Sequence, residues 1–279
     1  MDLYVNKISH YIPEGVVENS YFKEVNGLDE EWIYSRTGIK TRSKAGKEEN
    51  TNTMGIKAVD NGVEDLPYPM ESIDLIVAAT YSPYDTVATI AHMVQRRYHA
   101  ERAKCVSVSS ACSSFINAME VVEGYFAMGK AHRALVIASE HNTAYANETD
   151  PQSGHLWGDG AVAFFISPEK YRESDAQILS IYTQGLGHIG KSTSAVYLRP
   201  RNGGIGMPEG RDVFINACHY MVEALERAGE RCGKKLSDLN YISSHQANQR
   251  IIRNIARQTG FPEAVSYTHL RAHETLSDL

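Results

Sequence analysis

The chain has 279 residues, 42% hydrophobic and 22% charged, which is enough for a large buried core and close to globular averages. No run approaches the roughly 18 consecutive apolar residues of a membrane helix. With 28 Lys plus Arg against 34 Asp plus Glu, the net charge of −6 denies nucleic acid a broad basic surface. The first residues lack a basic-then-apolar leader, so a cytoplasmic protein with no membrane and no nucleic-acid partner is expected. Its four cysteines, Cys105, Cys112, Cys218 and Cys232, form no C-x-x-C pair, and neither disulfides nor a structural metal site is expected.

In chain order, a helix is expected near 53–63, then a linker and the strand LIVAA at 75–79. CVSV at 105–108 reads as a second strand. The next helix carries Phe115, Met119, Val122 and Phe126 on one face and is closed by Gly129. Strands follow at 135–138 (LVIA) and 162–166 (VAFFI), then a helix over 212–231 with Phe214, Ala217, Met221, Ala224 and Leu225 on one stripe and Gly233 beyond it, then a strand at 241–243. Continuous apolar strands alternating with helices predict an α/β fold with parallel strands covered on both faces. SIDLIVAA from Ser72 and SDLNYISS from Ser237 each follow a helix and lead into a strand, a faint internal duplication whose halves meet near 168–176.

The strongest chemical signal is Cys112, in VSVSSACSSF between a buried strand and a helix. A helix N-terminus favours a thiolate, and its free N–H groups suit an oxyanion. Cys105, inside the strand, reads as structural. Of eleven histidines, His245 in YISSHQANQR stands between a strand and a helix, at the edge where α/β sheets bind ligands, and is the candidate partner of Cys112. LWGDGAV at 156–162 is a tight turn that serves either the fold or a ligand. Dinucleotide, Walker and metalloprotease motifs are absent.

These stretches, with WIYSRTGIKTR at 32–42 and MPEGRDVF at 207–214, resemble β-ketoacyl-acyl-carrier-protein synthase III of the thiolase superfamily, over about residues 3–265. The resemblance implies a thiolase-like α-β-α-β-α sandwich of two similar halves, 1–170 with the nucleophile and 171–265, usually as a homodimer. It implies that Cys112 takes an acyl group from acyl-CoA, and that malonyl-acyl carrier protein then loses carbon dioxide and attacks the acyl-Cys. His245 would stabilise the enolate. Trp32 and Arg36 match positions that grip coenzyme A, Asn248 a position near its pantetheine arm, and Arg250, joined on its helix by Arg253 and Arg257, a carrier-protein docking face. Acyl-CoA is then a substrate, and no permanently bound cofactor is expected.

Two departures stand out. The loop at 146–160 offers no arginine where the family often contacts coenzyme A. Beyond Val265 the family's Gly-Asn-Thr-Ser turn, with a third catalytic residue, is replaced by SYTHLRAHETLSDL, which lacks strand alternation and whose start matches the translation of a sequencing adapter. The expectation is an incomplete second half and a non-native tail at 266–279, with His269 and His273 no metal pair. The alternatives are a thiolase-fold acyltransferase or starter enzyme of a specialised pathway, and an inactive acyl- or carrier-binding fragment.

Overall fold

The computed structural model describes residues 2–261 and the backbone of 270–272. The chain begins with β1 (Tyr4–Tyr11), β2 (Gly15–Glu18), α1 (Tyr21–Asn26), α2 (Glu30–Thr37), β3 (Ile39–Lys44) and α3 (Thr51–Val63). It continues through β4 (Leu75–Ala79), α4 (Ile90–Arg97), β5 (Lys104–Val108), α5 (Ser114–Ala127), β6 (Ala134–His141) and β7 (Asp159–Ser167). After β8 (Ala176–Gln177) come β9 (Tyr197–Arg199), β10 (Gly204–Gly206), α6 (Gly210–Arg231), α7 (Gln249–Thr259) and β11 (Leu270–Ala272).

The main sheet has the order β5-β4-β6-β7-β1-β8. Alternation along its strands divides the core. Ile76, Ala78, Leu135, Ile137, Ala163 and Phe165 meet α3 and α4 through Met54, Ala58, Ile90 and Val94. The intervening Leu75, Val77, Val136, Phe164 and Ile166 meet α5 through Ala118, Met119, Val122 and Phe126. Burying each such large apolar side chain contributes about 1.5–3 kcal/mol. Capping follows the sequence: Asn50 accepts from the N–H groups of Asn52 and Thr53 to start α3, and Gly129 and Gly233, just past α5 and α6, take left-handed φ of +65° and +70°.

Only part of the sheet is parallel, contrary to the expectation. β4 runs parallel to β5 and β6, but β7 is antiparallel to both β6 and β1. Between β6 and β7 only a 3-10 turn at Asn142–Ala144 and loops connect the strands, and without a crossover helix the chain returns antiparallel.

The segment 241–243 is not a strand: among the described residues no neighbouring strand pairs with it, and Ile242 instead packs with Cys218 and Val222 of α6 and Ile251 and Ile255 of α7. Residues 178–183 form no ladder either, yet Ile178 and Ile181 join the α5 core, and the Thr183 hydroxyl donates to Glu120 of α5. Of the expected tail, His269 and His273 lie outside the described residues. The three residues between them form a strand, β11, parallel to β3. Backbone pairing along β3 makes a strand without side-chain alternation.

Candidate active site

Two strand ends coincide at one edge of the sheet, beside a third strand that extends past them. Ala79, the end of β4, lies opposite Val108, the end of β5, and Ala138 of β6, so residues 80–82 and 109–113 emerge at the carboxyl edge where β6 runs on through residues 139–141. Between β5 and α5 the chain turns sharply, with Ala111 at φ +51°, a left-handed conformation costing a non-glycine residue roughly 1–2 kcal/mol. Hydroxyls brace the turn. Ser114 Oγ accepts from Ser110 N at 2.9 Å and donates to Ala111 O at 2.6 Å, while Ser113 Oγ donates to Ser110 O at 2.8 Å. Cys112 therefore stands just ahead of the N-cap Ser113, one residue outside the position expected for it, with part of its surface open to solvent.

His245, about 130 residues further on, reaches this turn from the segment leading into α7, and its imidazole hydrogen-bonds the cysteine sulfur. Protein crowding around the sulfur raises the Cys112 thiol's pKa, but the charge of His245 and its hydrogen bond overcome that effect and leave it below the ordinary value. Burial lowers the pKa of His245, and the charge and hydrogen bond of Cys112 reverse this, so that it ends above its ordinary value. Each group thus favours the other's charged form, giving a thiolate beside an imidazolium. The helix terminus was expected to lower the thiol's pKa. The histidine does most of it, and the Cys112 backbone N–H adds a smaller hydrogen bond.

A second acid shares the edge. Burial pushes the Glu140 carboxyl, at the end of β6, up to about 7, against the hydrogen bonds it receives from Ser82, Tyr81 and Thr80. The phenol of Tyr81 is raised by burial, then by Cys112 and Glu140. Neither residue was singled out in the sequence. A carboxylate in the last residues of an otherwise apolar strand, as in LVIASEH, was the available signal.

A family model described as 3-oxoacyl-[acyl-carrier-protein (ACP)] synthase III matches residues 106–187, the stretch from β5 past β7. The β-ketoacyl-[acyl-carrier-protein] synthase III of Staphylococcus saprophyticus is 32% identical over 263 residues, covering 94% of this chain and 82% of that protein. That of Ruegeria pomeroyi is 31% identical over 265 residues, covering 92% and 81%. The chain belongs to the β-ketoacyl-acyl-carrier-protein synthase III family. In three dimensions, the crystal structure of the Aquifex aeolicus 3-oxoacyl-[acyl-carrier-protein] synthase III superposes with a TM-score of 0.83 at 29% identity, over 97% of this chain and 87% of that one. A thiolase-like α/β fold is thereby established.

Within this synthase III chain the other expected residues form a second group. Trp32 and Arg36 lie on α2, the Arg36 guanidinium 4.3 Å above the Trp32 ring, and Trp32 keeps 37% of its surface exposed. His155, from the loop lacking an arginine, sets its buried ring edge-on to Trp32 at 5.8 Å. Burial, then Arg42, hold this histidine down to about 4, so it is neutral near pH 7. Asn248 caps α7, accepting from Arg250 N at 2.8 Å. Arg250, Arg253 and Arg257 point outward, opposite the buried Ile251, Ile252 and Ile255, and Arg250 donates to Ser35 O of α2 at 3.3 Å, joining the two helices. Asp159, fully buried, proves to be a fold-holding residue. It accepts from Ala45 N at 2.8 Å and from Thr143 N and Oγ1 at 2.9 and 2.6 Å.

Proposed function

We propose that this chain catalyses the decarboxylating condensation that initiates fatty acid synthesis. An acyl group passes from acyl-CoA to Cys112, and malonyl-acyl carrier protein supplies the two carbons that extend it to 3-oxoacyl-acyl carrier protein. The observation that carries this reading is the pairing of Cys112 with His245 at the carboxyl edge of the sheet. The thiolate adds to the thioester carbonyl of acyl-CoA, backbone N–H groups at the start of α5 face the oxyanion, and the coenzyme A thiolate departs. The malonyl thioester then loses carbon dioxide. Its enolate oxygen takes a hydrogen bond from His245, its carbanion attacks the acyl-Cys carbonyl, and the Cys112 thiolate leaves again.

Acyl-CoA is a substrate in this scheme, and no cofactor stays bound. Trp32 and Arg36 hold the nucleotide end of coenzyme A, Asn248 lies toward its pantetheine arm, and the outward Arg250, Arg253 and Arg257 receive an acidic carrier protein. The reading includes a homodimer and a cytoplasmic setting. Among the described residues no strand pairs with the outer edge of β5, and no helix is long and apolar enough to cross a membrane.

Incubation with labelled acetyl-CoA followed by peptide mass mapping tests the first half-reaction. Label is expected on Cys112 alone, because burial raises the thiols of Cys105 and Cys218 above their ordinary range. Label on another cysteine, or none from any acyl-CoA, would overturn the reading.

A further inference from the structure

Glu140 ties together the groups that surround the nucleophile. Its carboxylate accepts from Thr80 Oγ1 at 3.1 Å, Tyr81 N at 3.0 Å, Ser82 N at 3.1 Å and, by a short bond, Ser82 Oγ. Ser82 Oγ in turn accepts from His141 N at 2.9 Å. Thr80 N donates to Val108 O at 3.0 Å, extending the β4–β5 ladder to the residue from which the cysteine turn departs. One carboxylate thus fixes the segment 80–82 against the base of the Cys112 turn.

We infer that Glu140 is a positioning residue for Cys112: it clamps residues 80–82 beneath the cysteine turn and sets a negative charge against the Cys112–His245 pair. The inference rests on Cys112 being the nucleophile. The charged and titratable groups around the carboxylate are Cys112 on its turn, Tyr81 on the clamped segment and Tyr145 beyond the 3-10 turn, with His245 behind Cys112 and Asp159 acting on Tyr81. The Glu140 charge raises the Cys112 pKa and so opposes His245. This opposition serves the chemistry, because a thiolate's intrinsic nucleophilicity falls as its pKa falls and the best attacking thiol has a pKa near ambient pH. Left to the histidine alone, the sulfur would be ionised but sluggish.

The test is the rate of iodoacetamide alkylation of Cys112 between pH 5 and 9, with the modified residue mapped by mass, in the parent chain, Glu140→Gln and Ser82→Ala. Glu140→Gln is expected to move the alkylation midpoint to lower pH and to speed alkylation severalfold at pH 6, while slowing acylation by acetyl-CoA at pH 8. Ser82→Ala removes a hydrogen bond that lowers the Glu140 pKa, so less of the carboxylate is ionised near neutrality and the midpoint is expected to move in the same direction by less. Unmoved midpoints in both variants, or a shift to higher pH in Glu140→Gln, would overturn the inference. Should Glu140→Gln fail to fold, an unmoved midpoint in Ser82→Ala overturns it. A parent chain that takes no acyl group yet shows the expected midpoint shifts would overturn the acyl-transfer reading and support the role of Glu140.

Discussion

Replacing Asp159 with Asn removes one oxygen from a fully buried carboxylate that serves three donors. Oδ1 accepts from Thr143 N at 2.9 Å, and Oδ2 accepts from Ala45 N at 2.8 Å and Thr143 Oγ1 at 2.6 Å. Whichever way the amide turns, its NH2 group faces a backbone N–H that has lost its acceptor. The best placement keeps the oxygen at the Oδ2 position and orphans Thr143 N, which costs about 1–3 kcal/mol. The two surviving bonds lose their charge assistance, adding roughly 0.5–1 kcal/mol between them. A total of about 2–4 kcal/mol corresponds to a fall in melting temperature of about 5–15 °C for a chain of this size. Far-UV circular dichroism, with the fluorescence of Trp157, which is 7% exposed and two residues from the change, would follow the transition. A midpoint within about 1 °C of the parent would refute the accounting and free Asp159 for a role outside the fold.

His245→Ala is expected to raise the Cys112 pKa, since crowding then acts without the imidazole. Each unit of rise above ambient pH cuts the thiolate about tenfold, so alkylation at pH 7 slows and its midpoint moves up; an unmoved midpoint would detach His245 from the cysteine. Loss of the same imidazole as an enolate donor is expected to cost a further factor of about 10²–10³ in malonyl decarboxylation, measured as carbon dioxide release. Trp32→Ala is expected to raise the KM for acyl-CoA roughly three- to tenfold through lost stacking, with kcat little changed; a fall in kcat at constant KM would remove Trp32 from the coenzyme A site.

The strands LIVAA and VAFFI and the helix after Cys112 were legible because apolar side chains alone decide their burial. β1 was not. Its sequence YVNKISHY carries two buried polar residues: Asn6 donates to Asp175 Oδ2 at 2.9 Å, and Ser9 donates to Ala58 O at 2.6 Å. Their partners lie far along the chain, so the hydrophobic pattern is broken where the structure most needs the strand. The segment 241–243 failed in the opposite sense, since it has the right composition but no neighbouring ladder among the described residues. At the site, position alone picked out Cys112 and His245. What could not be read was the balance of forces on the sulfur, because Glu140 is brought near it by the register of three strands and His245 by the distant segment that leads into α7.

The place of β1 in the sheet has a kinetic consequence. Tyr11 lies opposite Ala161 and Tyr4 opposite Ser167, so one of the first strands to be synthesised stays without its ladder until β7 and β8 have been made. Pairings of such long sequence separation carry a large closure entropy and are slow to form. During synthesis β4, α4, β5, α5 and β6, joined by local crossovers, are expected to assemble first and β1 to close the sheet late. Alterations at the β1–β7 seam should therefore slow attainment of the native state and lower expression yield more than an equal loss of stability at the β4–β5 seam.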